Sequence, residues 1–447
     1  MMNTQASYGA QYLQLRNMVL DPRDYIARSV GFCRWLGCFA SLAVAFDCQA
    51  QETPRVSLAG EQAAETRHLA ATGTDGYNLK LGPTAWIFTT SLALEASDNI
   101  RLEHTNPQAD LIFRPEAGTQ MNFPVSEKNT LKLAAVAGYS AYLRHSEYDR
   151  WYVTPGSELS FDVYMGDVWL NVHDRFSILQ DAYQDPTVVG IADFSQLRNA
   201  AGLAAVCDLN KAFLKASYDH VNYLALRGVN TGSAHQPDGS SDVLSSSIGL
   251  HLGRGLSTGL EGGATFIRYA HETTAPFFAD GTQGNVGAFF EDQISECISA
   301  KGNLGYTVFS PQPNQPEHAS AEFSGLFATL AMAHRVNRFL DYELSGGRNL
   351  NFSLYGGTVD LTSARLVANW RLFWKTQLST SFGFEHGAQL GSEAEVFNRY
   401  GPSMRLERAI MKELTANITY QFYYRDSDLL DRDYSVNIAI LQLEYRF

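Results

Sequence analysis

The residues in this chain that could do chemistry are charged and polar side chains placed at every second position. Ser363, Arg365, Asn369 and Arg371 alternate with Ala364, Leu366, Ala368 and Trp370. In a strand, successive side chains point to opposite faces, so this spacing gathers guanidinium and amide groups on one face and leaves the other apolar. The same rule puts Arg114, Glu116, Lys132, Glu385, Arg405, Glu407 and Glu444 on polar faces of their own segments. Both signs occur in comparable number. A water-filled passage lined this way sustains a transverse field but has no evident preference for anions or cations. For each residue the plainer alternative is an ion pair that stiffens the wall. Reaction chemistry finds no footing: there is no Gly-x-Ser-x-Gly elbow, no His-Glu-x-x-His and no phosphate-binding loop, and the eleven histidines are scattered. No enzymatic activity, cofactor or metal is expected. Asp426-Ser-Asp-Leu-Leu-Asp-Arg-Asp433 reads as a solvated loop in preference to a cation site.

The elements that must carry these side chains are strands. Period-two alternation recurs from residue 84 to the C-terminus and predicts about eighteen strands, over 84–98, 109–123, 130–143, 156–165, 167–177, 196–207, 211–224, 242–252, 255–268, 282–296, 299–309, 318–332, 337–349, 358–374, 376–390, 400–410, 413–425 and 432–447. The gaps alternate in length. Gly166, 208–210, 253–254, Lys375 and 411–412 are tight, whereas 99–108, 144–155, 178–195, 225–241 and 269–281 are long. Short turns on one side and long loops on the other describe a transmembrane antiparallel β-barrel, and an even strand count returns both termini to the short-turn, periplasmic side. The apolar faces then look outward to lipid and the polar faces inward. Tyr and Trp near strand ends, including Trp151, Tyr152, Trp374, Tyr423, Tyr424 and Tyr445, are candidates for headgroup level. The long stretch 178–195 is the candidate for a loop folded into the barrel.

Composition agrees. Charged residues are 18% of the chain, below the roughly one quarter usual in globular proteins, yet no apolar run is long enough for a spanning helix. The net charge of −13 argues against nucleic acid as a partner. Residues 1–50 read as an N-terminal extension and signal peptide. Arg23, Arg28 and Arg34 precede a short apolar core at Leu36–Phe46, and small residues at Cys48 and Ala50 set cleavage before Gln51. The signal begins late, as it would if Met18 were the true start. Residues 51–83 are then a short periplasmic segment and 84–447 the barrel. Of five cysteines, only Cys207 and Cys297 remain after cleavage, and they are expected to be free, buried thiols.

The chain ends Leu441-Gln-Leu-Glu-Tyr-Arg-Phe447, with Phe447, Tyr445, Leu443 and Leu441 on one face and Arg446, Glu444 and Gln442 on the other. Together with Ala96-Ser-Asp-Asn-Ile100 after the first strand and the repeated hairpins, this ending resembles the β-barrel porins of Gram-negative bacteria over residues 84–447. The resemblance implies outer-membrane lipid as surroundings and the barrel-assembly machinery as partner, with Leu443, Tyr445 and Phe447 as the assembly signal. It implies passive passage of small hydrophilic solutes. An exopolysaccharide export conduit is a second possibility that some of the family suggest, and a structural or adhesive barrel without transport is a third.

Overall fold

The computed structural model describes residues 77–179, 181–190, 195–227, 238–253, 255–270, 280–312, 322–352, 358–390 and 394–447. In chain order the strands are β1 (Leu79–Leu81), β2 (Thr84–Ser97), β3 (Asp110–Pro124), β4 (Thr130–Tyr142), β5 (Arg150–Val153), β6 (Glu158–Met165), β7 (Val168–Leu179), β8 (Ser195–Asp208), β9 (Ala212–Arg227) and β10 (Gly239–His251). They continue as β11 (Leu256–Tyr269), β12 (Gly281–Ser295), β13 (Ile298–Pro311), β14 (Phe323–Arg335), β15 (Leu340–Phe352), β16 (Thr358–Arg371), β17 (Thr376–Leu390), β18 (Val396–Ala409), β19 (Leu414–Ser427) and β20 (Tyr434–Arg446). Among the described residues no helix is long and apolar enough to cross a membrane, which does not bear on crossing by strands.

Each wall strand pairs antiparallel with its neighbours in sequence, and β20 pairs with β2, from Thr89 opposite Arg446 to Ser97 opposite Ile438. The sheet is therefore closed and has no free edge. β1 is a three-residue strand folded back on β2. β5 and β6 lie end to end between β4 and β7, interrupted at 154–157. The interruption keeps its hydrogen bonds, since Thr154 N–H donates to the Val136 carbonyl and Ser157 Oγ accepts from Val136 N–H. With β1 set aside and β5 and β6 counted together, eighteen strands make the wall, as the alternation predicts. The expectation of a plain loop at 144–155 is corrected, because Arg150–Val153 belongs to the wall. The connections also alternate. Turns such as 166–167, 209–211, 296–297 and 372–375 are short, and 98–109, 180–194 and 428–433 on the other side are longer.

Exposure separates the two faces. On β2, Leu92 and Leu94 are exposed while Ser91, Glu95 and Ser97 are buried. On β19, Ile418, Tyr420 and Tyr424 are exposed while Asn417 and Arg425 are buried. The apolar set therefore faces outward and the polar set inward, the inverse of a soluble sandwich. Two of the proposed headgroup aromatics are corrected: Tyr152 and Tyr423 lie on the inward face, as partners of Glu116 and Tyr183. Their positions near strand ends mimic a belt residue, but parity decides the face. Cys207 and Cys297 are free, as expected, but Cys207 is only partly buried and Cys297 is exposed, because it sits in the turn between β12 and β13 and not inside a strand.

Inward rings lie flat over glycines directly across from them. Phe327 faces Gly305, Phe213 faces Gly249, Phe397 faces Gly387 and Tyr152 faces Gly138. A Cβ at any of these glycines would run into the facing ring. Outward Gly284, by contrast, has nothing near its missing Cβ. Gly305→Ala should therefore destabilise the refolded barrel by about 1–3 kcal/mol through overpacking, whereas Gly284→Ala should be neutral. Urea unfolding in detergent checks the pair, and equal midpoints would contradict the ring-over-glycine packing.

Candidate functional site

The connection from β7 to β8 is described over 181–190, and its contacts lie on other strands. Asp181 Oδ1 accepts from Arg114 Nη2 of β3 at 2.8 Å. Arg399 Nη1 of β18 donates to the Tyr183 carbonyl at 2.8 Å, and Arg425 Nε of β19 donates to the Pro186 carbonyl at 3.2 Å. The Tyr183 ring stacks on Tyr423 with centroids 5.7 Å apart. Val188 is fully buried, in a cluster with Ala182, Leu102, Tyr434, Val436 and Ile438. Arg114, Arg399, Tyr423, Arg425, Val436 and Ile438 are all on the inward faces of their strands. Between β7 and β18 along the wall lie β5/β6, β4, β3, β2, β20 and β19. The segment therefore runs through the barrel interior and docks on a distant stretch of wall.

The arginines have a physical reason to be there. A loop inside a barrel has carbonyls that no ladder pairs, and the guanidinium fork donates to a carbonyl and a carboxylate at once. Arg399 does this with Tyr183 and Glu385, while Arg425, which has no exposed surface, donates to the Pro186 and Arg432 carbonyls and forms an ion pair with Glu395. The Arg425 pair runs from Nη2 to Glu395 Oε1 at 2.7 Å, and its guanidinium plane lies over the Phe397 ring at 4.2 Å. Glu395 also meets Arg432 at 3.1 Å and accepts from Ser427 Oγ at 2.6 Å. Arg399 pairs with Glu385 at 2.5 Å. At the other end, Arg114 reaches Glu95 at 3.2 Å as well as Asp181, and a small cavity of mixed character remains between segment and wall, lined by the charged Glu95, Arg114 and Asp181 and by the apolar Ile112, Val436 and Ile438. Burial, reinforced by the carboxylates of Asp181 and Glu95, pushes the Tyr183 phenol well above its usual range, so it stays neutral.

The remaining candidate residues fall into short inward networks. Glu116 accepts from Ser91 Oγ and Tyr152 OH, each at 2.8 Å. Lys132 meets Asp162 at 2.8 Å, and Asp162 also accepts from Asn171. Asn171 Oδ1 contacts His173 Nδ1 at 2.8 Å, and His173 Nε2 contacts Asp219 at 2.7 Å, which extends the network across β4, β6, β7 and β9. Asn369 donates to Asp341 at 3.0 Å and accepts from Ser379 Oγ at 2.7 Å, while Arg371 stays 4.0 Å from Asp341. Arg405 and Glu407 pair with each other at 2.7 Å. Arg365 stands opposite Ser345 and Gly383, and Glu444 opposite Ser91 and Thr415. Leu443, Tyr445 and Phe447 are exposed on the outer face, the last two rings edge to face at 5.1 Å. The Asp426–Asp433 stretch supplies backbone caps: Asp428 accepts from Val396 N–H and Asp433 from Ser427 N–H.

Glu95, Asp181, Glu395 and Arg399 were not among the sequence candidates. A usable signal was present for two of them. Glu95 follows the parity of Ser91, and Arg399 falls outside the strand predicted from 400, which in the structure begins at Val396.

Closed wall, outward apolar face and inward polar face together define a transmembrane β-barrel of the outer-membrane type. No protein-family model matches the chain. No curated protein matches it either. Among solved structures, the barrel is similar to OccAB3 of Acinetobacter baumannii, with 10% identity, 82% of this chain and 100% of that chain covered, and a TM-score of 0.49. It is similar to the outer-membrane protein OpdK of Pseudomonas aeruginosa, with 10% identity, 81% and 99% covered, and a TM-score of 0.47. OccK2 (OpdF) of the same organism, solved in complex with glucuronate, matches at 10% identity over 81% and 98%, with a TM-score of 0.47. These are likenesses of backbone path, and the chain's own geometry carries its reading.

Arg114→Ala would leave the buried Glu95 and the partly buried Asp181 as neighbouring carboxylates without their cation. Removing one partner of such a group costs about 3–5 kcal/mol, and the loss should fall on the docked segment before it reaches the wall. Hydrogen exchange over 181–190 should rise at least tenfold in this variant, with the wall strands still protected. Unchanged protection of the segment would mean that Arg114 does not hold it.

Proposed function

We propose that this chain is an outer-membrane channel for passive passage of small hydrophilic solutes, with both termini on the periplasmic side. The observation that carries this is the 181–190 segment pinned inside an eighteen-strand wall. A wall of that size encloses more space than its own side chains fill. A structural barrel has no use for a segment held across its interior, and a polymer conduit would be narrowed by one. The inward face supports solutes that are polar and small, since Lys132, Asn369, Arg371, Arg405 and Glu407 offer donors and acceptors of both signs. Arg114, Glu116, Glu385, Arg365 and Glu444 then line or brace the passage. Even strand number and short turns beside both ends support the periplasmic orientation. The signal-peptide reading and the start of the mature chain near Gln51 concern residues outside those described.

Purified, refolded protein in a planar bilayer should give discrete ohmic conductance steps. Arg399→Ala combined with Arg425→Ala frees the two carbonyls that anchor the segment, so its steps should be noisier and of altered size. A folded barrel without any conductance would overturn the channel reading.

The ending Leu443, Tyr445 and Phe447 is read as the signal engaged by the assembly machinery. Deleting Phe447 removes roughly 2 kcal/mol of apolar burial at most, less for a ring that is largely exposed. The closed wall should tolerate that once folded. Outer-membrane levels in cells should fall several-fold while stability in detergent stays near wild type. Equal levels with and without Phe447 would remove the assembly-signal role.

A further inference from the structure

The short-turn rim is not uniform. On one arc, three successive turns carry exposed apolar side chains beside cations: Val336, Arg338 and Phe339 between β14 and β15, Phe373, Trp374 and Lys375 between β16 and β17, and Ile410, Met411 and Lys412 between β18 and β19. Phe373 and Trp374 are 83% and 81% exposed. Backbone hydrogen bonds tie the arc together. Arg371 N–H donates to the Phe339 carbonyl, Ala409 N–H to the Lys375 carbonyl, and Arg446 N–H to the Glu413 carbonyl. Other turns on this rim expose apolar side chains too, as Val125 and Leu209 do, but 125–129, 166–167 and 208–211 carry Glu127, Asp167 and Asp208 against Lys128 and Lys211, so their cations are balanced by acids.

The tip of the middle turn adds a second observation. Trp374 and Lys375 both have positive φ, +56° and +57°, and Thr376 N–H donates back to the Phe373 carbonyl. That is a tight hairpin turn whose two central positions favour Asn and Gly. On this rim Gly166 and Asn210 fill the left-handed positions of other turns. A bulky aromatic and a lysine held in that conformation point to a use for those side chains at the tip.

We propose that this arc binds the anionic phospholipid headgroups of the leaflet it meets. The inference rests on the reading of the chain as a membrane barrel. Its apolar part continues the lipid-facing surface directly above it, where Trp370, Met404 and Leu406 are exposed on β16 and β18. Its charged part has the sign for phosphate. In these turns Arg338, Lys375 and Lys412 are exposed against the single acid Glu413, and Arg408 is exposed near the end of β18. The Arg338 guanidinium sits over the Phe339 ring at 4.5 Å, an arrangement that keeps a cation at the level of a ring anchored in the interface. Aromatic rings with lysine and arginine beside them are the side chains that favour the boundary between acyl chains and headgroups.

The full barrel would be reconstituted in phosphatidylcholine bilayers doped with equal shares of brominated phosphatidylglycerol or brominated phosphatidylcholine. Trp374 emission is obtained as the difference between the wild-type chain and Trp374→Phe. At the same share, brominated phosphatidylglycerol should quench it several-fold more than brominated phosphatidylcholine. In Arg338→Gln/Lys375→Gln/Lys412→Gln the two lipids should quench equally, with the barrel still folded by circular dichroism. Equal quenching in the wild type, or a preference that survives in the triple variant, would overturn the proposal. Quenching by neither lipid would also overturn it and assign the arc to a protein partner. Trp370, read by the same subtraction with Trp370→Phe, should be quenched by both lipids. Its failure would sink the membrane-barrel reading itself, and the proposal with it.

Discussion

Backbone amides inside a hydrocarbon layer have no water to fall back on, and each unpaired N–H or C=O there costs several kcal/mol. A sheet can meet that condition only by closing, so the pairing of β2 with β20 is the contact on which the rest depends. The sequence reinforces this seam just above the last paired residues. Asp98 accepts from both the backbone and the side-chain nitrogen of Asn437, at 2.7 and 2.6 Å. Asn99, nearly fully buried, donates to the carbonyls of Ser435 and Glu103 and accepts from Glu103 N–H. The Asp98-Asn99 pair that follows β2 is thus a lock between the two ends of the sheet.

Closure also fixes what the inward face must be. Once the apolar set is turned to lipid, every other residue faces an interior where charges are near one another and partly removed from bulk water. They are accommodated by pairing, as Lys132 with Asp162, Arg399 with Glu385 and Arg405 with Glu407 illustrate. Rings that fall on this face gather in small apolar clusters, Tyr434 beside Val188, Phe309 beside Ile267 and Phe397 beside Val359. Several lie flat across the neighbouring strand, and the glycines directly opposite make room for them. Both devices keep side chains close to the wall.

How much of this was legible in the sequence follows from what a period of two encodes. Alternation assigns a face, and the faces of Arg114, Lys132, Arg371 and Glu407 could be read from it. It assigns no partner. Nothing local to Asp181 announces that it meets Arg114, 67 positions away in the chain. Tyr152 and Tyr423 were misplaced because nearness to a strand end resembles a belt position when parity is not applied. The segment's docking did leave a trace. Ile438-Ala-Ile-Leu441 is apolar on both faces, which a lipid-facing strand does not need. Its inward members Ile438 and Ile440, like Val436 before them, belong to or pack against the cluster that holds Val188 and Ala182, so a break in alternation marks the place where something lies inside.

The docking site of that segment straddles the seam. Arg114 belongs to β3, one strand from the first closing strand, while Arg425 and Arg399 belong to β19 and β18, one and two strands from the last. Val188 packs on β20 itself and on Leu102, which follows β2. Gly190 N–H donates to the Leu102 carbonyl at 3.2 Å, so both sides of the seam are engaged by one stretch of ten residues. In an open sheet the two sets of anchors would lie at opposite ends, so the complete set of contacts requires the pairing of β20 with β2. Once it has docked, opening the seam would have to break the Asp181 pair or the two carbonyl–guanidinium bonds, and expose Val188 and Ile438 as well. The same contacts that hold the segment in the interior therefore brace the join in the wall. A residue such as Arg114, which looks from its alternation like a lining group, acts on closure of the wall and on the placement of the segment together.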